Sequence, residues 1–264
     1  MSMTSQPVAS ERHIDVWLSF YDEIDADLDA TLRALLSDAE RRKELRFHFA
    51  ADRKRYLVTR AMVRTVLSRY VPERGATDWE FSANRFGRPE LCDPPAAARG
   101  LSFNISHTHG LIALAVARHR QLGVDVEHIH ARHAALGIAQ RFFAPVEAAE
   151  LERVPEDRQQ ERFFEYWTFK ESYIKARGEG LSIPLDAFDF CYPAQDEVRM
   201  STRPGLFDDA QRWCFWQFRP TAHHLLALCA ERHDCGAPTL SIRKMIPTVM
   251  DQPLAAHCVR SSKN

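Results

Sequence analysis

The chain has 264 residues, enough for one large domain or two small ones, and its 45% hydrophobic and 27% charged residues place it among ordinary globular chains. A formal net charge of −1 excludes a general polyanion binder such as a nucleic-acid coat, so any anion site must be a local basic cluster. The six cysteines show no CxxC pair, the first residues (MSMTSQPVASERH) hold no apolar signal core, and the longest apolar runs, such as Leu111–Ala117, are far too short to span a membrane, which together read as a reduced, soluble, cytoplasmic protein.

Residues 1–11 read as a polar leader. Ile14, Val16, Leu18 and Phe20 alternate as in a half-buried strand over His13–Phe20. An acidic stretch through Leu36 reads as a loop and a helix. The basic block ERRKELRFHFAADRKR then leads into a long helical pattern ending near Tyr70, with Asp52 as its cap and Leu57, Met62, Val63, Val66 and Leu67 as core positions. Arg53, Lys54, Arg55, Arg60 and Arg64 are either a solvated face, or Lys43, Arg46 and Arg55 face a bound phosphate near a helix start.

Trp79–Ser82 reads as a short strand and Phe86–Pro89 as a turn. Leu101–Ser106 and Leu111–Ala117 read as strands joined through SHTHG, with His107 at a strand end as a structural histidine or a ligand contact. In QLGVDVEH, Leu122, Val124 and Val126 alternate with Gly123, Asp125 and Glu127. Asp125 and Glu127 therefore share one side of a strand, with Cα atoms ~6.6 Å apart. They form either a solvent-facing acidic face or a pair bridged by a cation, and oxygen ligands favour a hard one such as Mg²⁺.

Two short helices follow, over Arg132–Phe143 and Pro145–Val154, then a long one from about Arg158 to Arg177. On it Phe163, Phe164, Trp167 and Ile174 fall on one arc, and Glu171 lies inside that arc. A carboxylate on an apolar face calls for a partner, and Lys175 follows one turn later. Gly178, Gly180 and Pro184 end the helix. Ala187–Tyr192, Gln211–Arg219 and Leu225–Glu231 read as strands, Pro193–Asp209 as a long polar loop, and the tail beyond Met245 as loosely attached. Each half offers an early strand, a long helix and further strands. This predicts an α+β fold of two similar α/β lobes, at 12–118 and 119–245, with a tail at 246–264 and a site between the lobes.

The ordered set RFHFAADRKR, RFGRPEL, FNISHTHG, GVDVEHI, RFFAPVE and WTFKESYIKARGEGLSIPL, spanning Arg41 to Phe190, resembles the surfactin-type (Sfp-type) 4′-phosphopantetheinyl transferases. The resemblance implies lobes related by a pseudo-two-fold axis with the active site in their cleft. It implies transfer of the 4′-phosphopantetheine group from coenzyme A to a serine of an apo acyl or peptidyl carrier domain. Mg²⁺ would take part and adenosine 3′,5′-bisphosphate would leave.

Carried across, Asp125, Glu127 and Glu171 resemble the metal-binding carboxylates, and Glu171 is also the candidate base, directly or through a water. Ser106 and His107 resemble the coenzyme A contact. Lys43, Arg46, Arg55 and Arg88 answer to the basic positions around the nucleotide, with Lys43 nearest in kind to a 3′-phosphate contact. Lys175 resembles the lysine that approaches the pyrophosphate, and 178–209 the region that meets the carrier. The chain departs from the pattern at Glu40, where the family often has a lysine, and at Glu179, between two glycines where many members have one. The size suits a monomer.

Overall fold

The computed structural model describes residues 10–130, 136–233 and 236–263. Most of the expected leader lies outside them. In the first half, β1 (His13–Ser19) is followed by α1 (Asp29–Ala34), α2 (Asp38–Glu44) and α3 (Ala50–Tyr70). A two-strand ribbon of β2 (Phe81–Ala83) and β3 (Pro89–Leu91) and a hairpin of β4 (Leu101–Thr108) and β5 (Leu111–Arg118) complete it. The second half repeats that order. It runs β6 (Leu122–His128), α4 (Leu136–Phe142), α5 (Pro145–Arg153), α6 (Glu156–Arg177), a ribbon of β7 (Phe188–Cys191) and β8 (Arg199–Thr202), and a hairpin of β9 (Trp213–Thr221) and β10 (His224–Glu231). Last come β11 (Thr239–Ile246), β12 (Met250–Pro253) and β13 (His257–Ser261).

The strands form two main sheets, ordered β12-β11-β1-β5-β4 and β13-β9-β10-β6. Alternation along each strand supplies two apolar faces. Outer faces are covered by the long helices: Trp17, Ile112, Leu114 and Val116 pack with Leu57, Met62 and Val66 of α3, while Phe215, Leu225 and Ala227 pack with Phe164, Phe169 and Tyr173 of α6. Inner faces meet each other, with Ile14, Val16, Leu111 and Ala113 against Leu122, Val124, Leu226 and Leu228. The layers are thus helix, sheet, sheet, helix.

Local chemistry sets the boundaries. Ser37 and Glu40 form a capping box that starts α2, and the basic block is shared between α2 and α3. Phe49, not Asp52, precedes the first turn of α3, and Asp52 bonds Arg55 instead. Gly178, at φ 69°, ends α6, where its N–H returns to Ile174 O.

The tail expected to hang loosely is built into both sheets. β12 pairs β11, β13 pairs β9, and β11 itself lies parallel to β1 of the first sheet. The polar loop expected over Pro193–Asp209 contains β8, paired to β7. Glu197 also bridges to Ser261. Of the helix expected over Arg132–Phe143, residues 132–135 lie outside the described ones. The five described cysteines are free. No helix among the described residues is long and apolar enough to cross a membrane.

Candidate active site

β6 presents Val124 and Val126 to the layer between the sheets, and Asp125 and Glu127 to the side covered by α6. Gly123 lets the helix come close. A Cβ there would lie 2.1 Å from Ser172 O and 2.4 Å from Ala176 N, both backbone atoms. The close crossing lays Trp167, Glu171 and Lys175, one turn apart on α6, beside the strand's carboxylates. Together with Ile105, Ser106, His107, Asp125, Val126 and Glu127 they line a hollow of about 290 Å³.

Lys175 Nζ is 2.7 Å from Asp125 Oδ1, donates to Ser106 Oγ at 2.9 Å and reaches Val124 O at 3.2 Å. Asp125 is 4% exposed, and its Oδ2 is buried with no hydrogen-bond partner. Glu127 accepts from Thr108 Oγ1 at 3.3 Å. Glu171 makes no hydrogen bond or ion pair among the described residues. Burial first, then the charges of Asp125 and Glu127, push it up to about 7, against the opposing pull of Lys175. Among the described residues that line this hollow, three carboxyl groups stand with the ammonium of Lys175.

An all-oxygen acidic set with an unpartnered buried oxygen suits a hard divalent cation. As they stand, however, no three His, Cys, Asp or Glu among the described residues are gathered closely enough to hold one. The expected three-ligand set is therefore brought into one hollow but not to a common point. Lys175 occupies the Asp125 carboxylate instead.

A larger depression of about 950 Å³ adjoins, sharing Ile105 and His107 with the first. Asp52, Arg55, Tyr56, Thr59 and Arg60 form one stripe of α3 along its wall, and Lys43 of α2 stands on its rim with Nζ 5.6 Å from the Tyr56 ring centre. Crowding around the His107 ring and then the Arg55 guanidinium hold that histidine below its ordinary pKa. Arg46 is exposed and does not line the depression. Arg88 is turned away from it: its guanidinium donates to Lys175 O and Ala176 O, both at 3.2 Å, capping the end of α6. It lines two smaller hollows, one of them shared with Glu171 and Lys175.

The solvated face read from α3 is corrected at two positions. Arg64 is 1% exposed and donates to Glu40 at 2.9 Å, and Arg60 pairs with the same carboxylate. Glu40 therefore holds two arginines of α3 in place. Sequence reading missed Arg60 as a wall residue and Thr108 as the partner of Glu127. Arg60 was legible in principle, because positions 52, 55, 56, 59 and 60 share one helix face. Thr108 carried no such signal, since its partner is on another sheet. Glu179 is tied to Arg177 at 2.7 Å.

Comparison with known proteins gives the family. The sequence model of the 4′-phosphopantetheinyl transferase superfamily matches residues 121–229, and that of the 4′-phosphopantetheinyl transferase N-terminal region matches 23–119. The chain is 32% identical to the 4′-phosphopantetheinyl transferase HetI of Nostoc sp., over 72% of this chain and 79% of that protein. It is 36% identical to the 4′-phosphopantetheinyl transferase Sfp of Bacillus subtilis, over 76% of this chain and 84% of that protein. To the ffp protein of Bacillus subtilis, also named a 4′-phosphopantetheinyl transferase, it is 37% identical over 77% and 85%. Matches to both halves and at this identity show that the chain belongs to the Sfp-type 4′-phosphopantetheinyl transferases, a family of transferases.

Proposed function

We propose that this enzyme moves the 4′-phosphopantetheine group of coenzyme A onto a serine hydroxyl of an apo acyl or peptidyl carrier domain, with Mg²⁺, and releases adenosine 3′,5′-bisphosphate. The observation that carries this reading is the junction of two hollows: one lined by Asp125, Glu127 and Glu171, the other by Lys43, Arg55, Arg60 and Arg64 with Glu40, Asp52 and Glu80 among them, and His107 is common to both. A nucleotide with its 3′-phosphate suits the basic one, and a pyrophosphate reaching past His107 suits the acidic one.

In the proposed reaction the serine hydroxyl attacks the phosphorus that bears the pantetheine arm, and the bond to the departing nucleotide phosphate breaks. Glu171, pushed up to about 7, is matched to removing the hydroxyl proton near neutrality, directly or through a water. Asp125 and Glu127 would hold the cation, which when bound offsets pyrophosphate charge. Lys175, freed from Asp125, would meet the departing phosphate. Ser106 and His107 would wall the pyrophosphate passage, and Arg88 would act by fixing the end of α6. The stretch 178–209 would face the carrier.

The repeated order of strand, long helix, ribbon and hairpin supports reading 12–118 and 119–245 as two lobes about a pseudo-two-fold axis; a cytoplasmic monomer is part of the same proposal. In this reading β11 and the tail are late additions that tie the lobes together.

The reading is tested by incubating the protein with coenzyme A, Mg²⁺ and an apo carrier domain and weighing the carrier. A gain of one phosphopantetheine is expected; an unchanged carrier mass across a panel of acyl and peptidyl carriers refutes it. Lys43→Ala is expected to weaken binding of coenzyme A about tenfold more than that of 3′-dephospho-coenzyme A, as loss of one charge-assisted phosphate contact would do. Equal losses in a calorimetric titration would move the 3′-phosphate elsewhere.

A further inference from the structure

The seam between the two sheets holds a pattern that neither hollow explains alone. β4 and β6 are edge strands of different sheets and do not pair through their backbones. Side chains of β4 bond the free edge of β6 instead. Asn104 Oδ1 accepts from Val124 N at 3.0 Å, Ser106 Oγ from Val126 N at 3.3 Å, and Thr108 Oγ1 from His128 N at 3.1 Å. The two-residue spacing on both strands keeps all three on the same side of β4 and satisfies alternate amides of β6.

The two hydroxyl rungs do something more. Ser106 Oγ donates its proton to Asp125 Oδ1 at 2.9 Å, and Thr108 Oγ1 donates to Glu127 Oε2 at 3.3 Å. Each hydroxyl therefore accepts from the amide of one residue of β6 and donates to the carboxylate of the residue before it. The same unit occurs twice, two residues apart. A hydroxyl has one proton and two lone pairs, so it can serve both bonds at once, whereas the Asn104 carbonyl can only accept.

We infer that Thr108 is a positioning residue for Glu127, as Ser106 is for Asp125, so that the seam between the sheets sets the direction of both β6 carboxylates. The inference rests on the reading that these carboxylates hold a divalent cation. Outer-shell partners of this kind fix the ligand rotamer before the ion arrives, and removing one typically weakens metal binding 10–100-fold. Ser106 also carries Lys175, so its loss would disturb two groups. Thr108 is the cleaner probe, because its hydroxyl touches only the β6 amide and Glu127.

The test uses Mn²⁺ as a spectroscopic substitute, titrated into the full-length protein with coenzyme A present, free Mn²⁺ being read by electron paramagnetic resonance. Thr108→Val is expected to weaken Mn²⁺ about tenfold. Thr108→Ser, which restores the hydroxyl, is expected to stay within about threefold of the native protein. In a Glu127→Ala background Thr108→Val should add less than about twofold, since the carboxylate it positions is gone. A purely structural rung would instead give the same loss in both backgrounds, and that result overturns the inference. So does a Thr108→Val protein that binds Mn²⁺ as the native one does. A native protein that binds no Mn²⁺ overturns both this inference and the reading beneath it. Thermal unfolding of each variant separates a misfolded protein from a misdirected ligand.

Discussion

Glu171 shows how a single side chain is held for work at a cost to folding. It sits on the covered face of α6 beside Asp125 and Glu127, with no hydrogen bond or ion pair of its own among the described residues. A carboxyl pushed up from 4.5 to about 7 keeps its proton more readily in the folded chain than in the unfolded one. It therefore lowers stability progressively as pH rises from 4.5 to about 7, and its full cost is felt above 7. Glu171→Gln removes the charge and keeps the shape. Without divalent cations the variant is expected to be more stable than the native protein at pH 8 by about 1–3 kcal/mol, an amount trimmed from the full shift because solvent reaches the group. The advantage should vanish at and below pH 4.5. Urea unfolding at the two pH values reads it, and equal stability at pH 8 would show that the raised pKa is absent in solution.

The meeting of α6 with β6 is decided by one missing side chain. At Gly123 the helix backbone passes where a Cβ would stand. Gly123→Ala must push apart backbone from backbone, which a rotamer change cannot relieve, and is expected to cost on the order of 3 kcal/mol. In a chain of this size that is a fall in Tm of roughly 6–12 °C by calorimetry, and an unshifted Tm would contradict the close crossing.

Elements such as α6 were legible in the sequence because their information is local. The arc of Phe163, Phe164 and Ile174 gave the buried face, and Gly178 gave the stop. The alternation of β6 placed Asp125 and Glu127 on one side for the same reason. Elements resting on distant partners were not legible. β8 and β13 have half-buried, mixed patterns that become strands only because β7 and β9 lie alongside. No pattern in the sequence marks Lys170 and Glu147 as a pair, yet both side chains are fully buried, 2.7 Å apart, with Lys170 also donating to Leu185 O and Phe188 O. In a one-dimensional pattern Arg88 looks like a ligand-facing charge and Glu40 like a departure from the family's lysine. Their partners, the end of α6 and two arginines of α3, exist only after folding.

At the scale of the whole molecule, the two helix-backed sheets do not fold around separate cores alone. Their inner faces share one apolar layer, and the tail fastens each from its outer edge. In the first sheet Asp251, its side chain fully buried, is forked between Arg69 of α3 and Arg243 of β11, whose guanidinium groups lie 5.0 and 5.6 Å from the Trp17 ring centre. In the second, Arg260 of β13 pairs with Glu165 of α6 at 3.0 Å and lies 4.1 Å from the Tyr192 ring centre. Asp251→Asn takes the buried carboxylate from Arg69 and is expected to cost about 3–5 kcal/mol, whereas Arg260→Met leaves Glu165 with Arg162 at 3.1 Å and is expected to cost less, about 1–3 kcal/mol. Because the sheets share their inner layer, both substitutions should lower the midpoint of one transition rather than melt one half first. Urea unfolding followed by far-ultraviolet circular dichroism and by tryptophan fluorescence decides this. The first half carries Trp17 and Trp79 and the second carries Trp167, Trp213 and Trp216, so fluorescence reports on both. Coincident curves are expected for the native protein and both variants. Two separated steps, with Asp251→Asn moving only one of them, would mean that the halves stand independently and that the shared layer contributes little to holding the site together.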